Sequence, residues 1–175
     1  MTTINYKKGF TIIETLVAIT ILMLAIVGPM TVSQKSLVAS IYAKDQIIAS
    51  YLAQDAMEYL KNKRDTYLSN STFANWVSTY GACTSANPCS VDTYADSFDA
   101  PCVNSCRLYD RGDRYTPNQA SATQTIFSRS FYIDSSASAT SNSSNEVKVV
   151  VRVWWQNNAN LSEMVIESQF FNVTR

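Results

Sequence analysis

The hydrophobic residues of this chain follow three different patterns along its 175 residues. An apolar run of 23 residues, 10–32, contains a single charged side chain. Residues 33–65 repeat apolar positions at spacings of four and seven, which is typical of one face of an amphipathic helix. Residues 126–173 contain stretches in which apolar and polar positions alternate, which predicts β-strands. The pattern therefore predicts a long N-terminal helix followed by a sheet.

The apolar run is long enough to cross a membrane. As a helix it covers about 35 Å, against a hydrocarbon core of roughly 30 Å. Lys7 and Lys8 precede it, so we expect the N-terminus to remain cytoplasmic and the bulk of the chain to lie outside. Gly28 and Pro29 lie within the run. Because proline removes a backbone N–H and clashes with the preceding turn, we expect a helix kink there.

Three kinds of segment have this composition. A secretory signal peptide has a shorter apolar region followed by a small-residue cleavage site, which the sequence after Val32 lacks. An unprocessed membrane anchor fits the length but leaves Glu14 unexplained, because a carboxylate in a membrane helix costs about 2.5–3.5 kcal/mol. The third kind of segment gives this acid a partner.

The sequence from Lys7 to Ala18, KKGFTIIETLVA, resembles the N-terminal processing motif of type IV pilins and pseudopilins. The resemblance implies that a membrane prepilin peptidase cuts between Gly9 and Phe10 and that Phe10 is then N-methylated. Cleavage leaves an ammonium on Phe10, and its attraction to Glu14 is amplified in a low-dielectric setting. We expect Glu14 of one subunit to meet the ammonium of its neighbour and to set the axial register of a filament.

The resemblance also implies a function and a set of partners. The chain is interpreted as a structural subunit, not an enzyme, of a type IV pilus-like filament or a type II secretion pseudopilus. A minor subunit is favoured, because residues 36–65 resemble the corresponding helix of minor pilins and I-type pseudopilins. The implied partners are other pilin subunits, the prepilin peptidase, an inner-membrane assembly platform and the lipid bilayer.

The implied location is the inner (cytoplasmic) membrane, which the chain crosses once with its C-terminus outside the cytoplasm, and afterwards the pilus or pseudopilus. The alternative interpretation is an unprocessed, single-pass, membrane-anchored extracytoplasmic binding protein. The N-terminal residue of the purified protein separates the two, since only the pilin interpretation requires that it be N-methylated Phe10.

One continuous helix from about Ile12 to about Arg64 is the simplest account of the first two patterns. Its second half is expected to pack on a globular head through the apolar face formed by Leu37, Ile41, Ile48, Leu52, Ala56 and Leu60. The predicted organisation has four segments: a leader at 1–9, a transmembrane and filament-core helix at 10–32, its amphipathic continuation at 33–65 and a head at 66–175.

The four cysteines lie in a loop-rich stretch, 66–118, at Cys83, Cys89, Cys102 and Cys106. The predicted export of the head favours disulfides, and the spacings lack the paired CxxC of a structural zinc site. Three pairings are possible. We favour Cys83–Cys89 and Cys102–Cys106, because each pair closes a short loop.

The same stretch contains loop acids and an adhesion-type tripeptide. The acids are Asp92, Asp96, Asp99, Asp110 and Asp113. Calcium takes six to eight oxygens, but the spacing does not match an EF-hand, so we interpret these residues as solvated loop acids. Arg111-Gly112-Asp113 is interpreted as a charged turn in which Gly112 supplies the bend. No metal site is predicted.

Three strands are predicted, at Ile126–Asp134, Glu146–Gln156 and Glu163–Val173. One face of the second strand is uniformly apolar and consists of Val147, Val149, Val151, Val153 and Trp155. This face is expected to rest on the helix, and the opposite face to be half solvated. The polar segment 135–145 is predicted to be a flexible loop; its hydroxyls are candidate glycan sites, but a plain loop is favoured.

The predicted fold class is α+β, with the long helix packed on an antiparallel sheet of about three to four strands and the cysteine loops, 83–106, between them. The composition of the chain excludes several classes of function. The chain has 14 basic and 14 acidic residues and no histidine. Without histidine there is no Ser-His-Asp triad or haem histidine, and no catalytic residue or cofactor is predicted. Without a basic excess, the head is not predicted to bind nucleic acid.

Overall fold

The computed structural model describes residues 9–102, 104–134, 146–157 and 160–172. The chain divides into two compact units, Met1–Asp45 and Gln46–Arg175. Most of the predicted leader and the whole of the predicted loop at 135–145 lie outside the described residues. Helix α1, Ile12–Asn70, contributes to both units.

Helix α1 begins where the sequence predicts and ends six residues later than expected, at Asn70 instead of Arg64. Tyr67 and Leu68 explain the extension, because both are partly buried against the hydrophobic core. The helix continues through Gly28 and Pro29 without interruption. The kink at these two residues stays a prediction.

The predicted loop-rich stretch also contains a second helix, which the sequence pattern did not predict. Helix α2, Phe73–Tyr80, begins after Thr72, whose hydroxyl accepts a hydrogen bond from the backbone N–H of Asn75 at 3.3 Å. Phe73, Trp76 and Tyr80 are buried. Their spacing of three and four residues is the helical period, and Thr72 is a favoured capping residue.

The strands form two antiparallel sheets within the described residues. The first is a hairpin of β1, Ser90–Asp92, and β2, Ser97–Asp99. The strands of the second are β3 (Arg107–Asp110, after a 3₁₀ turn at Asn104–Cys106), β4 (Tyr115–Thr116), β5 (Thr123–Asp134), β6 (Glu146–Asn157) and β7 (Asn160–Phe171). Their order in the sheet is β4-β3-β5-β6-β7.

The prediction of a long helix on an antiparallel sheet is confirmed, and β5, β6 and β7 are the three predicted strands. Among the described residues the main sheet has five strands, against the three to four expected, because β3 and β4 join the three predicted strands. The missed strands are two to four residues long. Segments this short do not complete an alternating pattern that sequence can reveal.

The core of the second unit lies between α1 and the sheet. The predicted apolar face of β6 is fully buried, with no residue from Val147 to Trp155 on that face more than 2% exposed. From the helix, Ala49, Leu52, Ala53, Ala56, Met57 and Leu60 join the same cluster. The predicted helix face is therefore buried from Leu52 onward, with Ile48 partly buried. Leu37 and Ile41, in the first unit, are 67% and 55% exposed.

Both favoured cysteine pairs lie at disulfide distance. The Cα–Cα separations are 5.2 Å for Cys83 and Cys89 and 5.1 Å for Cys102 and Cys106, within the usual range for a disulfide. The first pair is buried and lies beside β5: the backbone N–H of Cys89 donates to the carbonyl of Phe131 at 2.9 Å. This pair therefore attaches the loop after α2 to the main sheet.

Candidate processing and assembly site

The predicted cleavage point lies immediately before the first helix. Gly9, Phe10 and Thr11 have no regular secondary structure, and α1 begins at Ile12. Thr11 is followed three residues later by Glu14, the arrangement of a helix capping box. The backbone N–H of Glu14 donates to the Thr11 hydroxyl at 3.4 Å and to its carbonyl at 3.1 Å. The cap fixes the helix start and leaves the Gly9–Phe10 bond outside the hydrogen-bonded helix.

The surroundings of the Gly9–Phe10 bond are open. A Cβ built on Gly9 meets no heavy atom within 4 Å, and Phe10 is 77% exposed. A peptidase that binds an extended segment therefore has access to this bond.

Glu14 lies in the first turn of α1 and is exposed. A carboxylate is favoured in the first turn because it faces the positive end of the helix dipole. Within the described part of the chain, no hydrogen bond or ion pair reaches its carboxylate. This side chain is therefore available to a cation from outside the described chain.

The apolar surface of α1 has no partner in its own chain. The large apolar side chains between residues 10 and 32 are from 50% exposed, at Val17, to 86% exposed, at Ile12. By length and composition the helix is able to cross a membrane. Its threonine hydroxyls donate back to helix carbonyls, as Thr20 does to Val17 and Thr31 to Gly28, each at 2.8 Å. Polar groups satisfied within the helix are compatible with a hydrocarbon environment.

The family model of the prokaryotic N-terminal methylation motif matches residues 4–28. The chain carries the leader signature of type IV pilins and pseudopilins. The matched segment contains Gly9, Phe10 and Glu14. No curated protein and no solved structure matches the chain.

This signature marks the chain as a pilin-like or pseudopilin-like precursor and points to a structural protein. It implies assembly with other pilin subunits and processing by a prepilin peptidase. Together with the apolar helix, it fits a membrane-anchored protein. Cleavage after Gly9, methylation of Phe10 and the assembly role of Glu14 stay predictions.

The head contains an ionic network around a buried arginine, which the sequence pattern did not predict. Arg129, on β5, is 1% exposed. Its guanidinium donates to the backbone carbonyls of Leu52 at 3.0 Å and Val91 at 2.9 Å, and to the Asp55 carboxylate at 2.7 Å. One side chain thus connects α1, β1 and β5. Burial lowers the pKa of the Arg129 guanidinium from its ordinary value, and the hydrogen bond and charge of Asp55 oppose that shift.

Asp92 extends this network to the edge strand β4. Its carboxylate accepts hydrogen bonds from the Thr116 hydroxyl at 2.6 Å and from the backbone N–H groups of Tyr94 and Ala95. Burial opposes the charged form, but these hydrogen bonds and the charge of Arg129 outweigh it and lower the pKa of Asp92. The network holds the β1–β2 hairpin in place between α1 and β4.

A sequence signal for Arg129 exists. Phe127, Phe131 and Ile133 alternate along β5 and are all buried, and Arg129 occupies the same inward-facing series. A charge at an apolar position of the strand period predicts a buried ion pair, because an unpaired buried charge is costly. The partner was not predictable, since Asp55 is 74 residues away along the chain.

The loop acids have protein partners of their own. Asp96 binds Lys63 and Tyr59, and the hydrogen bond from Lys63, followed by that from Tyr59, lowers the pKa of Asp96. The Asp110 carboxylate accepts a hydrogen bond from the backbone N–H of Gly112 at 2.6 Å and so caps the turn that follows β3. Gly112 has φ of 92°, so it supplies the predicted bend in the Arg-Gly-Asp turn. Among the described residues, no group of three or more Asp, Glu or Cys side chains is arranged to hold a metal ion.

Proposed function

We propose that this protein is a structural subunit, and specifically a minor one, of a type IV pilus-like filament or a type II secretion pseudopilus. The observation that carries the proposal is the match of residues 4–28 to the N-terminal methylation motif, on a helix whose apolar side chains are exposed within the chain. Exposed apolar surface of this extent requires a membrane or neighbouring helices.

The proposed function follows from two successive environments of α1. In the membrane, lipid covers the apolar residues of the segment 10–32. In the filament, the same surfaces pack against the helices of other subunits. Cleavage after Gly9 creates the ammonium on Phe10, which compensates the Glu14 charge of a neighbouring subunit. Because the rest of that interface is apolar and without strong directional preference, the charge pair sets the register.

The head forms the outer surface of the assembly in this proposal. Its fold is anchored to α1 by the apolar cluster and by Arg129, as described above. A minor subunit is supported by the resemblance of residues 36–65 to minor pilins and I-type pseudopilins. It is also supported by the loop-rich region between α2 and β5, which contains both cysteine pairs and, among the described residues, four short strands. Before assembly, the subunit is a single-pass protein of the inner membrane with the head outside the cytoplasm.

The decisive experiment identifies the N-terminus of the protein purified from cells that contain a prepilin peptidase. We expect intact mass and N-terminal peptide analysis to show N-methylated Phe10. The Gly9→Leu variant should keep its leader, because a bulky residue replaces the small one before the cut, while Gly28→Leu, a matched change within the span, should still be processed. A wild-type protein that retains Met1 or Thr2 would support the unprocessed anchor and overturn the proposal.

A second experiment tests whether the subunit serves a pilus or a secretion pseudopilus. The gene is deleted, and surface filaments and protein secretion are scored in the same strain. Loss of filaments indicates a pilus, and loss of secretion with normal filaments indicates a pseudopilus. If both remain normal, the proposed structural role is wrong.

A further inference from the structure

The two edges of the main sheet differ in how well they are protected. At one edge, β4 has only two residues and is followed by Pro117. At the other, β7 has twelve residues and pairs with β6 in a continuous register from Asn160 to Phe171. A long, regular edge strand offers its unpaired backbone N–H and C=O groups to another strand.

Strand β7 itself carries none of the sequence features that usually protect an edge. It contains no proline, glycine, lysine or arginine, and its register shows no bulge. Its two charges, Glu163 and Glu167, form ion pairs with Arg152 and Lys148 of β6. Apolar side chains remain exposed beside them: Leu161 is 69%, Val165 47% and Phe171 49% exposed.

The sequence of β7 is nearly symmetric about Val165. From Ser162 to Ser168 it runs Ser-Glu-Met-Val-Ile-Glu-Ser. If a second copy of β7 lies antiparallel with Val165 opposite Val165, each serine meets a serine and Met164 meets Ile166. Directly opposite residues in an antiparallel pair have their side chains on the same face, so Met164 and Ile166 would extend the apolar layer they already adjoin.

We propose that β7 is a self-pairing edge, through which two copies of the head join in a two-fold symmetric, antiparallel β-ladder centred on Val165. A two-fold interface uses the same surface on both copies, which must therefore be self-complementary. In this ladder Glu163 of one copy lies opposite Glu167 of the other, and the two like charges repel each other. Each of these acids already forms an ion pair with a cation on β6.

The register is specific. A shift that keeps the faces matched moves the partner by two residues, which places Met164 opposite Ser168 in one direction and Ile166 opposite Ser162 in the other. Of these three registers, only the one centred on Val165 matches apolar with apolar and polar with polar on the inner face between Ser162 and Ser168. Register is strongly specified where one face of a sheet is buried.

The symmetry also fixes how the two copies are related. Both copies present the same sheet face on the same side, so the two-fold axis is perpendicular to the sheet and reverses every direction within its plane. The pairing of two purified chains does not depend on the proposed function.

Cysteine cross-linking of the full chain in detergent micelles tests the proposal. Val165→Cys brings two Cα atoms to about 4.5–5.5 Å in a directly opposed pair, which suits a disulfide. Ile126→Cys is the matched control, because Ile126 is a similarly exposed (44%) apolar residue on β5. We expect the covalent dimer of Val165→Cys to exceed that of Ile126→Cys several-fold after mild oxidation.

The register is tested by a second pair of variants. Residues 161 and 169 lie opposite each other across the proposed ladder, so Leu161→Cys and Gln169→Cys should cross-link when mixed and much less when each is alone. Equal dimer yields for Val165→Cys and Ile126→Cys, or self-cross-linking of Leu161→Cys that equals the mixture, would overturn the proposal. Because the N-terminal analysis is independent of these yields, failure here leaves the proposed function standing.

Discussion

The two stretches of helix α1 present their apolar residues to opposite environments. Up to residue 32 the large apolar side chains are at least half exposed, whereas Ala49, Ala53, Ala56 and Leu60 are fully buried. Both stretches are parts of one helix with the same backbone geometry. The C-terminal stretch therefore packs on the sheet of its own chain, while the N-terminal stretch needs an apolar partner from outside the described chain. Changes to the two stretches should therefore have different consequences, in assembly for the first and in folding for the second.

The largest expected effect is in the exposed stretch. Glu14→Ala should leave membrane insertion intact and abolish incorporation into filaments, because the neighbour's Phe10 ammonium loses its partner. Glu58→Ala removes an exposed acid from the same helix within the second unit and should assemble normally. Sheared filaments and membranes are compared by immunoblot. Normal incorporation of Glu14→Ala would contradict the assembly role of this acid.

In the head, on which the buried stretch packs, the largest effect should come from the ionic network around Arg129. Arg129→Met removes the hydrogen bonds to Leu52, Val91 and Asp55 and the positive charge that favours the ionised form of Asp92. Asp55 is half exposed, so water can hydrate its charge, but a buried acceptor left without its donor costs about 1–3 kcal/mol, and the two carbonyls lose theirs. Arg152→Met, on the adjacent strand, removes an exposed pair with Glu163 and should cost no more than about 1 kcal/mol.

Urea unfolding followed by tryptophan fluorescence measures this difference, because Trp76, Trp154 and Trp155 are the three tryptophans and all lie in the second unit. Equal losses of unfolding free energy for Arg129→Met and Arg152→Met would show that the network does not hold the head together.

A matched pair of leucines compares the two stretches directly. Leu60 is fully buried and Leu24 is 76% exposed. Leu60→Ala should lower the free energy of unfolding of the head by about 2–5 kcal/mol, because it removes buried methyl groups and leaves a cavity. Leu24→Ala should leave that free energy unchanged. The same urea titration measures both, and a comparable loss for Leu24→Ala would mean that the exposed stretch contributes to the stability of the head.

The sequence predicts well the elements that contain several repeats of their hydrophobic period. It predicts poorly the short elements and the contacts between residues that are far apart in the chain. The helix and strands β5–β7 each contain several repeats of their period, so the pattern reveals them. Strands β1–β4 are too short for that, and the capping residue before Phe73 is a single signal within a polar stretch. The contacts of Arg129 depend on the tertiary fold, which brings α1 and β1 to the same strand.

The smallest expected effect concerns the pH dependence of the stability of the head. The folded-state pKa of Asp92 is lowered, below the unfolded value of about 3.9. Its charge therefore stabilises the head fully above that pH, and the contribution is lost as the pH falls through the folded-state value. Thermal unfolding of the head from pH 6 to pH 2 should show a decline in stability below about pH 4. Asp92→Asn should flatten this decline and Asp113→Asn, in the exposed turn, should not. An unchanged slope in Asp92→Asn would mean that acid destabilises the head through other carboxylates.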